Sequence, residues 1–172
     1  MKRLIIISTW FQVIWFMAVI GAESLQYVTL SLVFFTLVIS SVKGDIAWKK
    51  VVVIAALGTM LDYFHMAVGW FEFANDSFPL WLIALWFIFS WYASFLSSLL
   101  NQYPIVIVSL VGGVAGSLSY IAGEKFGGVT FSLPLHYSAL MLALEWTCII
   151  ALILRGYRYE NANNSRASNS SQ

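Results

Sequence analysis

Two acids and a histidine stand inside long apolar stretches of this chain: Asp62, His65 and Glu145. An ionised carboxylate at the centre of a membrane helix costs about 2.5–3.5 kcal/mol on insertion scales, and each flanking leucine or valine returns only a few tenths. Side chains that expensive are by default functional, paired with one another or turned to a polar cavity. Carboxyl groups beside an imidazole can give and take protons. Asp62, His65 and Glu145 are therefore the candidate catalytic residues, with Gln12 and Tyr120 as candidates to hold a substrate.

Helical geometry groups them. At about 100° per residue, Gly58, Asp62, His65 and Gly69 fall on one face within about 60°, while Val53, Phe64 and Trp70 lie elsewhere. Glu145 shares a face with Ser138, Met141 and Cys148. Alternating helix directions bring Gln12, Asp62 and Glu145 to similar depth, with His65 about 4.5 Å farther outward. The expectation is one polar cluster, shared by both acids and opening toward the outside. The plainer reading is that the acids hydrogen-bond across helices and hold a bundle together, at about 0.6 kcal/mol per contact.

The elements that must position these residues are membrane helices. Of 172 residues, 60% are hydrophobic and 10% charged, where a soluble domain carries about 25% charged residues. A soluble domain of this size has too much surface to hide so much apolar material. Six apolar runs match the roughly 20 residues needed to cross a hydrocarbon core of about 30 Å: residues 4–21, 25–42, 51–69, 79–100, 104–121 and 137–155. Their unbroken apolarity predicts helices and excludes barrel strands, which alternate polar with apolar. The expected fold is all-α, a polytopic bundle of six transmembrane helices over residues 1–159. An Asn/Ser-rich cytoplasmic tail over 160–172 is expected to be disordered. The first run is longer and more aromatic than a signal peptide's core, so it is expected to stay as a helix.

Charge sets the orientation. Of the nine Lys and Arg residues, Lys2, Arg3, Lys43, Lys49, Lys50, Arg155, Arg158 and Arg166 lie in the N-terminal, second and C-terminal connections, and Lys125 alone lies in the alternate ones. Positive residues stay inside, so both termini are expected in the cytoplasm. Gly112, Gly116, Ser119 and Gly123 form a small-residue stripe that admits close helix packing, within the chain or against another copy; with Gly58 and Gly69 they are the candidate packing residues. Trp48, Trp70 and Trp81 are expected at the interfaces, and Trp86 and Trp91 in packing or lipid contacts. The lone Cys148 excludes an internal disulfide framework. No phosphate loop, nucleophile elbow or H-E-x-x-H motif is present, so no metal is assigned and no cofactor is identified. Near-neutral net charge gives no reason to expect nucleic acid as a partner; the expected partner is the lipid bilayer.

Three stretches, L-D-Y-F-H-M-A-V-G-W-F-E-F (Leu61–Phe73), P-L-W-L-I-A-L-W-F (Pro79–Phe87) and G-G-V-A-G-S-L-S-Y-I-A-G (Gly112–Gly123), resemble an uncharacterised bacterial inner-membrane family, a domain of unknown function. The helix 3 Asp, the P-L-W start of helix 4 and the S-Y-x-x-G run carry the likeness. It implies a bacterial inner membrane and an association with fatty-acyl and lipid-modifying enzymes. Three functional readings follow: a membrane enzyme or accessory subunit acting on lipid or lipophilic substrates; a small proton- or cation-coupled transporter, with two inverted three-helix halves; or a structural assembly partner of membrane enzymes. A homo-oligomer is left open.

The charge bias predicts the topology directly. A reporter active only outside the cytoplasm should be active when fused after Glu72 or Lys125, and silent after Gly44 or Asn161. Activity at Asn161 would contradict an even number of crossings.

Overall fold

Every apolar run satisfies its own backbone hydrogen bonds as an α-helix, the one open-ended element that lipid tolerates. The computed structural model describes residues 2–170, with side chains over 2–159; the tail expected over 160–172 falls outside the fully described residues. The helices are α1 (Lys2–Gly21), α2 (Gln26–Val42), α3 (Trp48–Ala67), α4 (Leu80–Leu100), α5 (Ile105–Lys125) and α6 (Leu135–Ser170). By length and composition, α1, α3, α4, α5 and α6 can cross a membrane, while α2 is equally apolar but only 17 residues long. All three prolines stand immediately before a helix, Pro79 before α4, Pro104 before α5 and Pro134 before α6, where the missing N–H breaks no helical bond.

The all-α fold carries one addition that hydropathy does not forecast. Two-residue strands β1 (Phe71–Glu72) and β2 (Thr130–Phe131) pair antiparallel, Phe71 opposite Phe131 and Glu72 opposite Thr130. Two glycines deliver the chain to them. Gly69, at φ +74°, ends α3, with its N–H on the Met66 carbonyl and the Trp70 N–H on the His65 carbonyl, both at 2.9 Å. Gly127, at φ +78°, ends α5 in the same way, with the Gly128 N–H on the Gly123 carbonyl at 2.9 Å. This pairing of bonds around a left-handed residue is the Schellman motif, which glycine enters without penalty. Gly69 therefore does not belong to the packing face of helix 3: it lies beyond the helix, and a Cβ there would meet nothing within 4 Å.

Packing groups the helices as four plus two. α4 touches α1, α2 and α3, whereas α5 lies along α6. The equivalent pair in an inverted three-plus-three arrangement, α2 with α3, makes no comparable contact, so the packing does not follow the inverted halves. In α5 the small residues face α6: Gly116 lies against the Trp146 ring, Gly113 against Thr147 and Gly112 against Ile150. Ser119 turns to α1 and accepts a hydrogen bond from Trp15 Nε1 at 2.8 Å. At Gly123 the stripe widens, since a Cβ there would meet only Val129, at 3.8 Å.

The ends of the bundle differ in chemistry. At one, Arg3 pairs with Asp45 at 2.8 Å, Lys50 sits 3.9 Å over the Tyr157 ring, and Arg158 Nη2 donates to the Tyr103 carbonyl at 2.6 Å. At the other, Asn75 donates to Glu23 and the β1–β2 ribbon folds over the helix ends. That fold-back explains a departure from expectation: Trp70 and Trp81 are buried rather than spread along an interface, and of the three only Trp48 is exposed. Between the ends the outer faces are apolar, with Ile6, Phe34, Leu57, Val111 and Leu144 all exposed. A surface of that kind needs an apolar solvent or a partner.

Gly116→Leu should destabilise the protein by about 1–3 kcal/mol, because the branched side chain must displace Trp146. Leu110→Ala, at an exposed position, should change stability by no more than about 0.5 kcal/mol. Unfolding in detergent micelles checks both; equal effects would mean that α5 and α6 are not in contact at Gly116.

Candidate functional site

The buried residues of α3 are Val51, Ala55, Gly58, Asp62 and His65, at alternating spacings of four and three that mark a single packing seam. Gly58 lets α4 come close: a Cβ there would overlap the Trp86 indole. Trp86 lies flat across that gap and donates its Nε1–H to Asp62 Oδ2 at 2.5 Å. From α5, the Tyr120 hydroxyl donates to Asp62, 2.6 Å from Oδ1 and 2.8 Å from Oδ2. Asp62 is 1% exposed, so these donors stand in for the water it has lost. The Trp86 ring stacks on Trp146 of α6 at 5.3 Å with 3° between planes, and Gly116 makes the space that Trp146 occupies. Four helices thus meet around one carboxyl group.

One turn farther along α3, His65 Nε2 lies 2.9 Å from Glu145 Oε2 on α6. The imidazole is buried, and the Glu145 side chain keeps 21% exposure. Aromatic edges clamp the ring: Trp70 at 4.5 Å and Phe71 at 4.8 Å between centroids. Trp70 is itself fixed, by the bond of its N–H to the His65 carbonyl and by Nε1 donating to Ser138 Oγ at 3.1 Å. Among the described residues, the buried His65 Nδ1 has no hydrogen-bond partner. A glutamate accepting from Nε2–H fixes the tautomer in which Nδ1 carries the free lone pair. Nδ1 is shut away from the cavity, so the member of the pair that reaches the opening is the Glu145 carboxyl group, with the imidazole Nε2 behind it to exchange a proton.

Both residues line a cavity of about 490 Å³, together with Phe64, Val68, Gly69, Trp70, Ser132, Leu133, Met141 and Leu144. Phe64, Val68, Leu133, Met141 and Leu144 are exposed at its rim, so the cavity opens sideways between α3 and α6. Gly69, Ser132 and Leu133, at the outer helix ends, also line it and are exposed, while Phe71, 1% exposed, stacks between His65, Tyr120 and Phe131 and closes the side toward α5.

The five sequence candidates separate accordingly. Asp62, Tyr120, His65 and Glu145 come together. Within that cluster each acid has its own partners: among the described residues Asp62 is bonded to Trp86 and Tyr120, and Glu145 to His65. Tyr120, expected to hold a substrate, has its hydroxyl committed to Asp62. Gln12 does not join the cluster; it is exposed on α1, in a different cleft beside Phe11, Trp15 and Ser119. Trp86, Trp70, Phe71 and Trp146 complete the site and were not singled out as parts of it. Their signal was faint: an indole donor is a natural partner for a buried acid, but the chain alone does not say which of eight tryptophans is near. No three of the described His, Cys, Asp and Glu side chains gather closely enough to hold a metal ion.

Comparison with known proteins adds one match. The pattern of a family described as a protein of unknown function (DUF2878) covers residues 4–152. No curated protein and no solved structure matches the chain.

Gly58→Ala tests the construction of the site. Its methyl group must push Trp86 off Asp62, combining overpacking with a lost buried hydrogen bond, for a loss of about 2–4 kcal/mol in detergent unfolding. Unchanged stability would show that Trp86 does not lie across α3.

Proposed function

Because the chain belongs to the DUF2878 family, whose function is unknown, we propose its activity from its own residues: a membrane enzyme, or an accessory subunit of one, in which the His65–Glu145 pair carries out acid–base chemistry on a lipid or other lipophilic substrate. One observation carries this reading. The pair at 2.9 Å borders a cavity with an apolar rim, and Glu145 is the member of the pair exposed there. Glu145 meets the substrate and exchanges the proton, and His65 Nε2 behind it holds or supplies that proton. A lipophilic molecule reaches the site from the side, where Phe64, Val68 and Leu144 border the opening. Asp62 and Tyr120 act as positioning residues, setting α3 against α5 so that His65 meets α6.

The wider setting belongs to the same proposal. All six helices cross a bacterial inner membrane, α2 included at 17 residues, near the lower limit of about 17–25 for a crossing helix. Both termini lie in the cytoplasm, a placement supported by the gathering of Arg3, Lys50 and Arg158 at one end of the bundle. Lipid-modifying enzymes of the same membrane are its partners. The carrier reading draws less support, since the packing lacks inverted halves and the two acids have separate partners.

Lipid extracts of cells lacking the gene, compared by mass spectrometry with cells complemented by the wild type, His65→Ala or Glu145→Gln, test the proposal. The deletion should alter the lipid profile, and wild type should restore it. His65→Ala should fail to restore it at equal abundance in the membrane, and Glu145→Gln should restore it at a rate lower by roughly 10²–10⁴-fold, the usual contribution of acid–base catalysis. Full restoration by His65→Ala, or a profile unaffected by the deletion, would overturn it.

A further inference from the structure

The polar side chains around the cavity between α3 and α6 decide what it can hold. Four of the lining side chains carry nitrogen or oxygen: His65, Trp70, Ser132 and Glu145. Three of them are engaged within the protein. Trp70 Nε1 donates to Ser138 Oγ, and the Ser132 hydroxyl donates to the Gly69 carbonyl at 2.6 Å. His65 Nε2 is held by Glu145 Oε2, while Nδ1 is shut away from the opening. That leaves Glu145 Oε1, which has no partner among the described residues and, unlike His65 Nδ1, is not closed off from the surface. The side chains thus offer an incoming molecule one hydrogen-bond acceptor and no free donor.

Charge narrows the choice. Among the described residues no Lys or Arg lines the cavity, and Lys125, at the same end of the bundle, is turned to Glu124 at 3.3 Å. A phosphate or carboxylate brought to Glu145 would meet like charge with no cation to offset it. An ammonium has the right sign, but it carries three N–H donors and would leave two of them without a side-chain acceptor. A hydroxyl carries one O–H and matches the one free oxygen. It also enters uncharged, so its desolvation costs far less than that of an ion. The rest of such a molecule has an apolar way out, since Phe64, Val68 and Leu144 border the opening and are exposed.

We propose that this cavity takes the hydroxyl end of an uncharged lipid alcohol, its O–H donating to Glu145 Oε1 and its alkyl tail leaving past Phe64 and Leu144. The assignment rests on the reading of the His65–Glu145 pair as the working site and names the class of molecule that the pair meets.

The test uses the full chain in lipid nanodiscs and matched photoreactive probes, each with a hexadecyl tail that bears a diazirine at its middle: the alcohol, its methyl ether, the primary amine and the phosphate monoester. After illumination, labelled peptides are located by mass spectrometry. The alcohol should label α3 around Phe64 and α6 around Leu144 about tenfold more than the ether or the phosphate, the worth of one hydrogen bond to a charged acceptor. Glu145→Leu removes the acceptor and should bring alcohol and ether to equal labelling. Met141→Trp, which fills the opening, should abolish labelling by the alcohol, and Leu144→Trp serves the same purpose if Met141→Trp does not accumulate. Labelling is read without turnover, so it is independent of the lipid-profile experiment: a His65→Ala variant that still restores the profile would sink the acid–base chemistry, and the alcohol's preference over its ether would still establish the ligand class. Equal labelling of wild type by alcohol and ether overturns the proposal, as does a preference for the amine or the phosphate. So does alcohol labelling that neither filling variant lowers, which would mean contact with the surrounding lipid only.

Discussion

A carboxyl group at the hydrocarbon depth of a membrane has no water to accept from, so the protein itself must supply the donors. Asp62 imposes that constraint on its surroundings. Trp86 brings α4 to it and Tyr120 brings α5. Lipid offers no hydrophobic force to press helices together, and the α5–α6 pair has only light packing against the rest through α4 and α6. The Tyr120–Asp62 hydrogen bond links the four-helix body to the two-helix hairpin, beside the Trp15–Ser119, His65–Glu145 and Trp70–Ser138 contacts, and is the one anchored on a fully buried acid. The bonds at Asp62 depend on space. Gly58 admits the Trp86 ring, Gly116 admits the Trp146 ring that stacks on it, and a Cβ at either glycine would overlap an indole.

The two acids consequently divide their roles. Asp62 has both oxygens engaged and is shut off from solvent and lipid. Glu145 is partly exposed at a cavity and touches a histidine whose other nitrogen is buried, with no partner among the described residues. A side chain with every bond made is suited to holding a structure in place; one that faces a cavity, next to an oriented imidazole, is suited to moving a proton. The β ribbon serves this division. By ending α3 and α5 in left-handed turns, Gly69 and Gly127 fold Trp70 and Phe71 over the histidine and fix its ring.

Much of this was legible in the sequence because lipid makes strong, simple demands. Helices must be long and apolar, which marked the runs, and an acid within one must turn inward, which put Gly58, Asp62 and His65 on one face. Partners across helices were harder to read. Nothing in α4 distinguishes Trp86 from Trp91 as the donor to Asp62, since both occupy the same apolar run; the choice is made by Gly58, a residue of another helix, and it becomes visible only when α3 and α4 are docked. Gly69 misled for a related reason. Its spacing continues the polar face of α3, but a glycine at a helix end serves equally well as the residue that terminates it, and the Schellman bonds show the second use. Gln12 shares the depth of the acids, yet depth fixes only one coordinate. Its helix turns it toward a different cleft.

The most direct measurement of the central claim is a double-mutant cycle between α3 and α5. Asp62→Ala, Tyr120→Phe and the pair together are unfolded in the same detergent, and their stabilities compared with wild type. If the Tyr120 hydroxyl and the Asp62 carboxyl hold the two parts of the bundle together, the pair should show a coupling of about 1–2 kcal/mol, the range of a strong interhelical hydrogen bond. Losses that add within about 0.3–0.5 kcal/mol, as independent sites do, would contradict the account.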